Sequence, residues 1–217
     1  VKTLDFWFDP VSPYAWLAFD ALPQALSGFH VSVRYQPVLL AGLLAHWGHK
    51  GPAEIPPKRV WTYRDVAWRA HQQALPLDLP RVHPFNPLAL LRLAVACAPP
   101  GGTPSRYVTE RIFRHVWVGG DDAASPERLA TLTHEVEPLR DPADPAVKAE
   151  LLAQTDLAVA AGVFGVPALV VDGVVFWGTD ALPMLAAWLA GDVWFQGPSW
   201  ADAARPRVAM QRNAGRS

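Results

Sequence analysis

A chain of 217 residues, 51% of them apolar and 18% charged, can bury one sizeable core, or fold as one domain carrying a large insertion, and is not a disordered polymer. Its formal net charge of −1 gives no electrostatic reason to expect nucleic acid or an anionic membrane as partner. Cys97 is the single cysteine, which excludes an internal disulfide and a two-cysteine redox cycle, and ten tryptophans supply flat apolar walls for a core, for an aromatic-binding pocket or for homodimer contacts.

The chain enters a strand-like run from Lys2 to Phe8 without a basic-then-apolar leader, and no segment approaches the ~18 apolar residues of a membrane span, so a cytoplasmic protein is expected. Within that run Leu4, Phe6 and Phe8 alternate with other residues at the period of a strand. Asp9-Pro10-Val11 breaks it, and Ser12-Pro13 reads as N-cap and first helical residue of a helix to about Leu26, with Pro23 predicting a kink. Residues 30–37 alternate again, and a crossover of this length implies a parallel βαβ unit. A Gly- and Pro-rich loop is expected over 38–57, then helices near 59–75, 86–98, 104–118, 126–136 and 145–161. Thr103-Pro104, Ser125-Pro126 and Asp144-Pro145 look like repeats of the Ser12-Pro13 capping device. Two short apolar strands joined at Asp172-Gly173 form a hairpin signal, and a last helix is expected from Asp180 to Ala190, before a mobile tail over 201–217.

Four features carry candidate chemistry, each beside a plain structural reading. Ser12 lies where the first strand hands over to a helix N-terminus, a place that favours anions, and equally reads as a helix cap. Pro167 in Gly165-Val166-Pro167 precedes a strand that should be central. A cis bond would turn the chain and present the Val166 backbone to a ligand; a trans proline opening an edge strand is the alternative. Thr179-Asp180 reads as an N-cap or as a carboxylate and hydroxyl for an α-ammonium group. Lys58 reads as a solvated charge or as the partner of a ligand carboxylate. Cys97, in the apolar stretch LLRLAVACA, reads as a core thiol. No HExxH or Cys-His spacing suggests a metal, and no GxGxxG, GxxxxGK or GxSxG suggests a nucleotide or a serine elbow.

The segment FWFDPVSPYAW resembles the active-site turn of the 2-hydroxychromene-2-carboxylate isomerase family and of the related kappa-class glutathione transferases, in the DsbA-like branch of the thioredoxin superfamily. Pro56-Pro57-Lys58, His83-Pro84-Phe85-Asn86-Pro87, Gly165-Val166-Pro167 and Trp177-Gly178-Thr179-Asp180 extend the resemblance over about residues 3–198. It implies an α/β thioredoxin-like fold, residues 1–57 and 144–200, with a helical domain, 58–143, inserted between its βαβ and αββα halves. The Cys-Pro-x-Cys motif of that superfamily would fall on Ser12 to Ala15, so both cysteines are replaced. The resemblance further implies glutathione as cofactor, its sulfur on Ser12, its cysteinyl backbone on Val166 before a cis Pro167, its γ-glutamyl end on Thr179 and Asp180, and a carboxylate on Lys58. Asn86 is the candidate contact for a small aromatic carboxylate substrate, or a cap of the following helix. His49 stands where the kappa enzymes carry an asparagine, and is left without a role. The implied reaction is the glutathione-dependent interconversion of 2-hydroxychromene-2-carboxylate and trans-o-hydroxybenzylidenepyruvate, as in naphthalene catabolism. A kappa-type transferase or peroxidase is the alternative, and a non-catalytic peptide-binding domain a more distant one.

Overall fold

The computed structural model describes residues 1–205. β1 (Lys2–Phe8), α1 (Pro13–Ala25) and β2 (Val31–Pro37) form the opening unit, and β1 and β2 run parallel in register from Lys2 opposite Val31 to Phe8 opposite Pro37. Leu4, Phe6 and Phe8 turn one face of β1 onto Trp16, Phe19 and Leu22 of α1. Trp7 points the other way, into a second apolar cluster with Val38, Leu43, Val163 and Val166. The first strand is thus covered on both faces, as an interior strand must be.

Between β2 and the rest of the sheet come α2 (Leu40–Trp47), α3 (Pro56–Gln72), α4 (Leu88–Ala96), α5 (Arg106–Trp117), α6 (Pro126–Val136) and α7 (Pro145–Ala160). β3 (Ala168–Val171) and β4 (Val174–Trp177) then complete a four-stranded sheet of order β2-β1-β3-β4, in which β3 is antiparallel to both neighbours. Asp172 and Gly173 have φ of 53° and 77°, the left-handed pair that a two-residue hairpin turn needs, and Lys2 forms an ion pair with Asp172. Pro167 therefore stands at the mouth of a central strand, not of an edge. A short 3-10 turn, Thr179–Ala181, leads into α8 (Leu182–Leu189), and α9 (Pro198–Ala203) follows.

Several boundaries differ from expectation for local reasons. The 38–57 segment is not all loop: it holds α2, stopped by Gly48 in the left-handed conformation at φ 67°. α5 is capped by Ser105, whose hydroxyl accepts the Val108 N–H at 3.2 Å, so Thr103-Pro104 is not a cap. Ser125 and Asp144 do cap their helices. Thr179 makes no cap bond, and the last long helix begins at Leu182 instead of Asp180. Of the expected tail, Ala201 to Ala203 are helical, in α9, Ala204 and Arg205 follow it exposed, and 206–217 lies outside the described residues.

Pro23 sits in the last turn of α1 and has no N–H to give the Phe19 carbonyl. Arg106, at the start of α5, replaces that donor with guanidinium contacts of 3.4 and 3.5 Å, reaches the Tyr35 hydroxyl at 3.1 Å and lies 4.2 Å above the Phe19 ring. Phe113 of α5 packs 5.2 Å from Phe19 and 5.3 Å from Phe8 by ring centroid. These contacts seat α5 against α1 and bring Trp117 beneath the turn between β1 and α1. Among the described residues no helix is long and apolar enough to cross a membrane.

Candidate active site

The turn from Asp9 to Ser12 leaves the end of a central strand and enters α1. Ser12 is 7% exposed and caps the helix, its Oγ accepting the Ala15 N–H at 3.3 Å. The same hydroxyl lies 3.4 Å from the Val166 carbonyl oxygen, to which it donates. Pro13 at the first helical position has no N–H to orphan and Ala15 is satisfied by the cap, so the Tyr14 N–H is left facing the turn with the positive end of the helix dipole.

Each residue before Ser12 is tied down. Asp9 is fully buried, and its two carboxylate oxygens accept the N–H groups of Val11 and Leu40, each at 2.9 Å. Burial pushes its carboxyl up to about 7, against the two backbone bonds that pull it down. The buried indole N–H of Trp117 donates to the Pro10 carbonyl at 2.9 Å. His83 Nε2 lies 2.7 Å from the Val11 carbonyl, while its Nδ1 lies 2.6 Å from the Tyr63 hydroxyl of α3. Burial holds the His83 pKa below its ordinary value.

The Val166–Pro167 peptide is cis, the form that the family resemblance implied and the local sequence left open, and so is His83–Pro84, which the sequence did not suggest. Thr179, read as a cap, instead sends its hydroxyl to the Tyr14 carbonyl at 3.1 Å, joining the turn after β4 to the first turn of α1. Ser12, Val166 and Thr179 therefore meet around one helix end. Asp180 is exposed in the same 3-10 turn as Thr179. Lys58 is exposed in the first turn of α3, seven residues before Asp65 and so about 10 Å along the same helix face. Asp65 accepts the Tyr14 hydroxyl at 2.9 Å and Arg69 at 2.8 Å, which brings that face to α1. Burial, followed by the hydrogen bond and charge of Asp65, pushes the Tyr14 phenol up to about 12. Among the described residues neither Lys58 nor Asp180 is in an ion pair. Asn86 is exposed and accepts the Leu88 N–H at 3.1 Å across the turn into α4, whose N-cap position is Pro87; among the described residues no hydrogen bond joins Asn86 to Ser12.

Asp9, His83, Tyr63 and Trp117 were absent from the sequence-derived candidates. His83 stood inside a quoted motif and Asp9 beside Ser12, but their partners are 72 and 31 residues away. Cys97 is partly buried, and burial pushes its thiol up to about 11, far from a reactive thiolate. No three His, Cys, Asp or Glu side chains among the described residues gather as a metal ion would require.

The model of a DSBA-like thioredoxin domain matches residues 3–190. Glutathione S-transferase kappa 1 of Homo sapiens is 25% identical over 210 residues, spanning 89% of this chain and 92% of that protein. A 2-hydroxychromene-2-carboxylate isomerase of Sphingobium xenophagum is 28% identical over 198 residues, spanning 87% of this chain and 98% of the isomerase. The fold is also that of a solved 2-hydroxychromene-2-carboxylate isomerase, with a TM-score of 0.75 at 22% identity over 93% of this chain and 98% of the other.

Proposed function

The chain belongs to the DSBA-like thioredoxin domain family, and we propose that within it this protein is a glutathione-dependent isomerase acting on a small aromatic carboxylate of the 2-hydroxychromene-2-carboxylate type. The observation that carries the reading is the Ser12 hydroxyl. It occupies the N-terminus of α1, 3.4 Å from the Val166 carbonyl, where a family built on Cys-Pro-x-Cys would have its reactive thiol. A serine there keeps a hydrogen-bond donor and removes the protein's own competing nucleophile.

The donor set suits a tripeptide thiol. Rotation of the Ser12 hydroxyl from Val166 to an incoming sulfur, together with the Tyr14 N–H and the helix dipole, favours the thiolate over the thiol. The released Val166 carbonyl and its N–H then pair with the cysteinyl backbone. Asp180 and Thr179 hold the ammonium and carboxylate of the γ-glutamyl end, and Lys58 meets a carboxylate. When bound, glutathione would supply a thiolate nucleophile for reversible addition to the conjugated substrate, which would let the ring C–O bond open and the former double bond rotate before the thiolate leaves again unchanged. The buried Asp9 and Trp117 bonds hold the turn still while the hydroxyl reorients. Asn86, exposed just before α4, would be the contact for the substrate's polar groups.

Similarity to a kappa-class transferase supports a second outcome, in which the same thiolate attacks a substrate that keeps the sulfur. Incubation with 2-hydroxychromene-2-carboxylate and glutathione, followed by ultraviolet absorbance, separates the two. Glutathione-dependent interconversion with no net thiol consumption supports the isomerase. Inert chromene together with conjugation of chlorodinitrobenzene replaces it with the transferase.

A further inference from the structure

We propose that His83 is a positioning residue for the group at position 12, acting through the Val11 carbonyl with Tyr63 as its orienting partner. The inference deepens the preceding reading and rests on it only for the identity of the thiol. His83 Nε2 is 2.7 Å from a carbonyl oxygen, which accepts and cannot donate, so Nε2 carries the proton. In the neutral ring Nδ1 is then the acceptor, and the Tyr63 hydroxyl at 2.6 Å is its donor. Tyr63 has one proton and a second acceptor, the His83 carbonyl at 3.4 Å; the shorter contact takes it. The Val11 carbonyl therefore fixes the tautomer, and the Tyr63 hydroxyl of α3 holds the ring in that orientation.

The bond matters because of where the carbonyl sits. The Val11 C=O and the Ser12 N–H belong to one rigid peptide plane. Holding the oxygen fixes the direction of that N–H, which donates to the Asp9 carbonyl at 3.0 Å, and with it the angle at which Cα and Oγ of Ser12 meet the helix end. Among the described residues His83 is the side chain bonded to this oxygen; Asp9 and Trp117 hold the plane's neighbours. The ring cannot drift, being packed on Trp117 at 5.3 Å, Tyr63 at 5.6 Å and Phe85 at 6.1 Å between centroids. A loop 72 residues away along the chain thus sets the attitude of the residue that would meet sulfur. Such an arrangement, a reacting group oriented by a second group that is itself oriented by a third, is how a site keeps its geometry within tenths of an ångström.

The test uses Ser12→Cys, whose thiol reports the electrostatics of position 12 without glutathione, by thiolate absorbance or alkylation rate against pH. Cys97, with its thiol near 11, stays silent. The Ser12→Cys thiol is expected to titrate below the ~8.5 of an ordinary thiol. Adding His83→Leu is expected to raise the midpoint by about one pH unit, roughly tenfold less thiolate at a pH below both midpoints. Adding His83→Gln, whose amide can both donate to Val11 and accept from Tyr63, is expected to restore it. In the chain that keeps Ser12, His83→Leu should lower kcat about tenfold with KM for glutathione within about twofold, and should cost nothing further on top of Ser12→Ala. Coincident titrations of the Leu, Gln and His versions overturn the proposal, as does an equal loss in the Ser12→Ala background. Should His83→Leu not fold, Tyr63→Phe decides: a smaller upward shift supports the proposal and none overturns it. A wild-type chain that binds no glutathione defeats the proposed function, while the thiol titration still judges His83.

Discussion

Every residue of the turn from Asp9 to Ser12 is bonded from elsewhere in the chain: Asp9 by the Leu40 N–H, Pro10 by Trp117, Val11 by His83 and Ser12 by Val166. Lys58, Asn86 and Asp180, to which the proposed function gives the outer ends of the ligands, stand exposed, and the two charged ones have no ionic partner among the described residues. The contrast separates two jobs. A group that must steady developing charge on a reacting atom has to be in place beforehand, because reorganisation during the reaction adds to the barrier. Groups that only grip the ends of a peptide can wait in water and form their bonds on binding, which tunes affinity more than chemistry. Substitutions at the braced end should therefore change turnover or folding, and those at the exposed end the affinity for ligand.

Five substitutions break or sharpen that contrast. Ser12→Ala should lower kcat about 100-fold, the scale of losing one preorganised donor, with little change in KM for glutathione in the steady-state assay. Trp117→Phe keeps the ring in the core but leaves the Pro10 carbonyl without its buried donor. It should cost about 2 kcal/mol in chemical denaturation, with an unchanged m-value. Asp9 gives a pH signature. Its folded pKa of about 7 lies above its ordinary 3.8, so between these values the folded chain keeps a proton that the unfolded chain has shed. This contribution to stability is fully present below the lower value and is lost as pH rises through the upper one, at up to about 1.4 kcal/mol per pH unit. Asp9→Asn should flatten that slope between pH 4 and 7 in denaturation curves. Lys58→Ala and Asp180→Ala should each weaken glutathione binding about fivefold by calorimetry, as exposed charge contacts do, and leave kcat at saturation within about twofold. A large kcat loss at either would erase the distinction between the two ends.

What could be read from the sequence follows the reach of each interaction. The alternation of Leu4, Phe6 and Phe8 and the Asp172-Gly173 turn are local patterns, and they place β1 and the β3–β4 hairpin correctly. Helix α2 was hidden because its eight residues sit among glycines and prolines, although Gly48 past its end was a readable stop signal. Thr103-Pro104 misled because the chain chose the next cap along, Ser105. Ser12 could be found as a cap but not distinguished from a catalytic hydroxyl, since both uses need the same residue at the same helix end. Asp9 and His83 were illegible for another reason: each looks ordinary until the fold delivers an N–H from the start of α2, or a carbonyl from the turn, to its side chain.

The most direct test of the account is the ionisation of glutathione itself in the presence of the protein, followed by thiolate absorbance as pH is raised. With saturating wild-type protein the midpoint should fall below the ~8.5 of an unperturbed thiol, and with Ser12→Ala it should return toward that value while glutathione still binds. A midpoint that the protein does not move, or that moves equally with Ser12→Ala, would contradict the claim that the Ser12 hydroxyl at the head of α1 stabilises a bound thiolate.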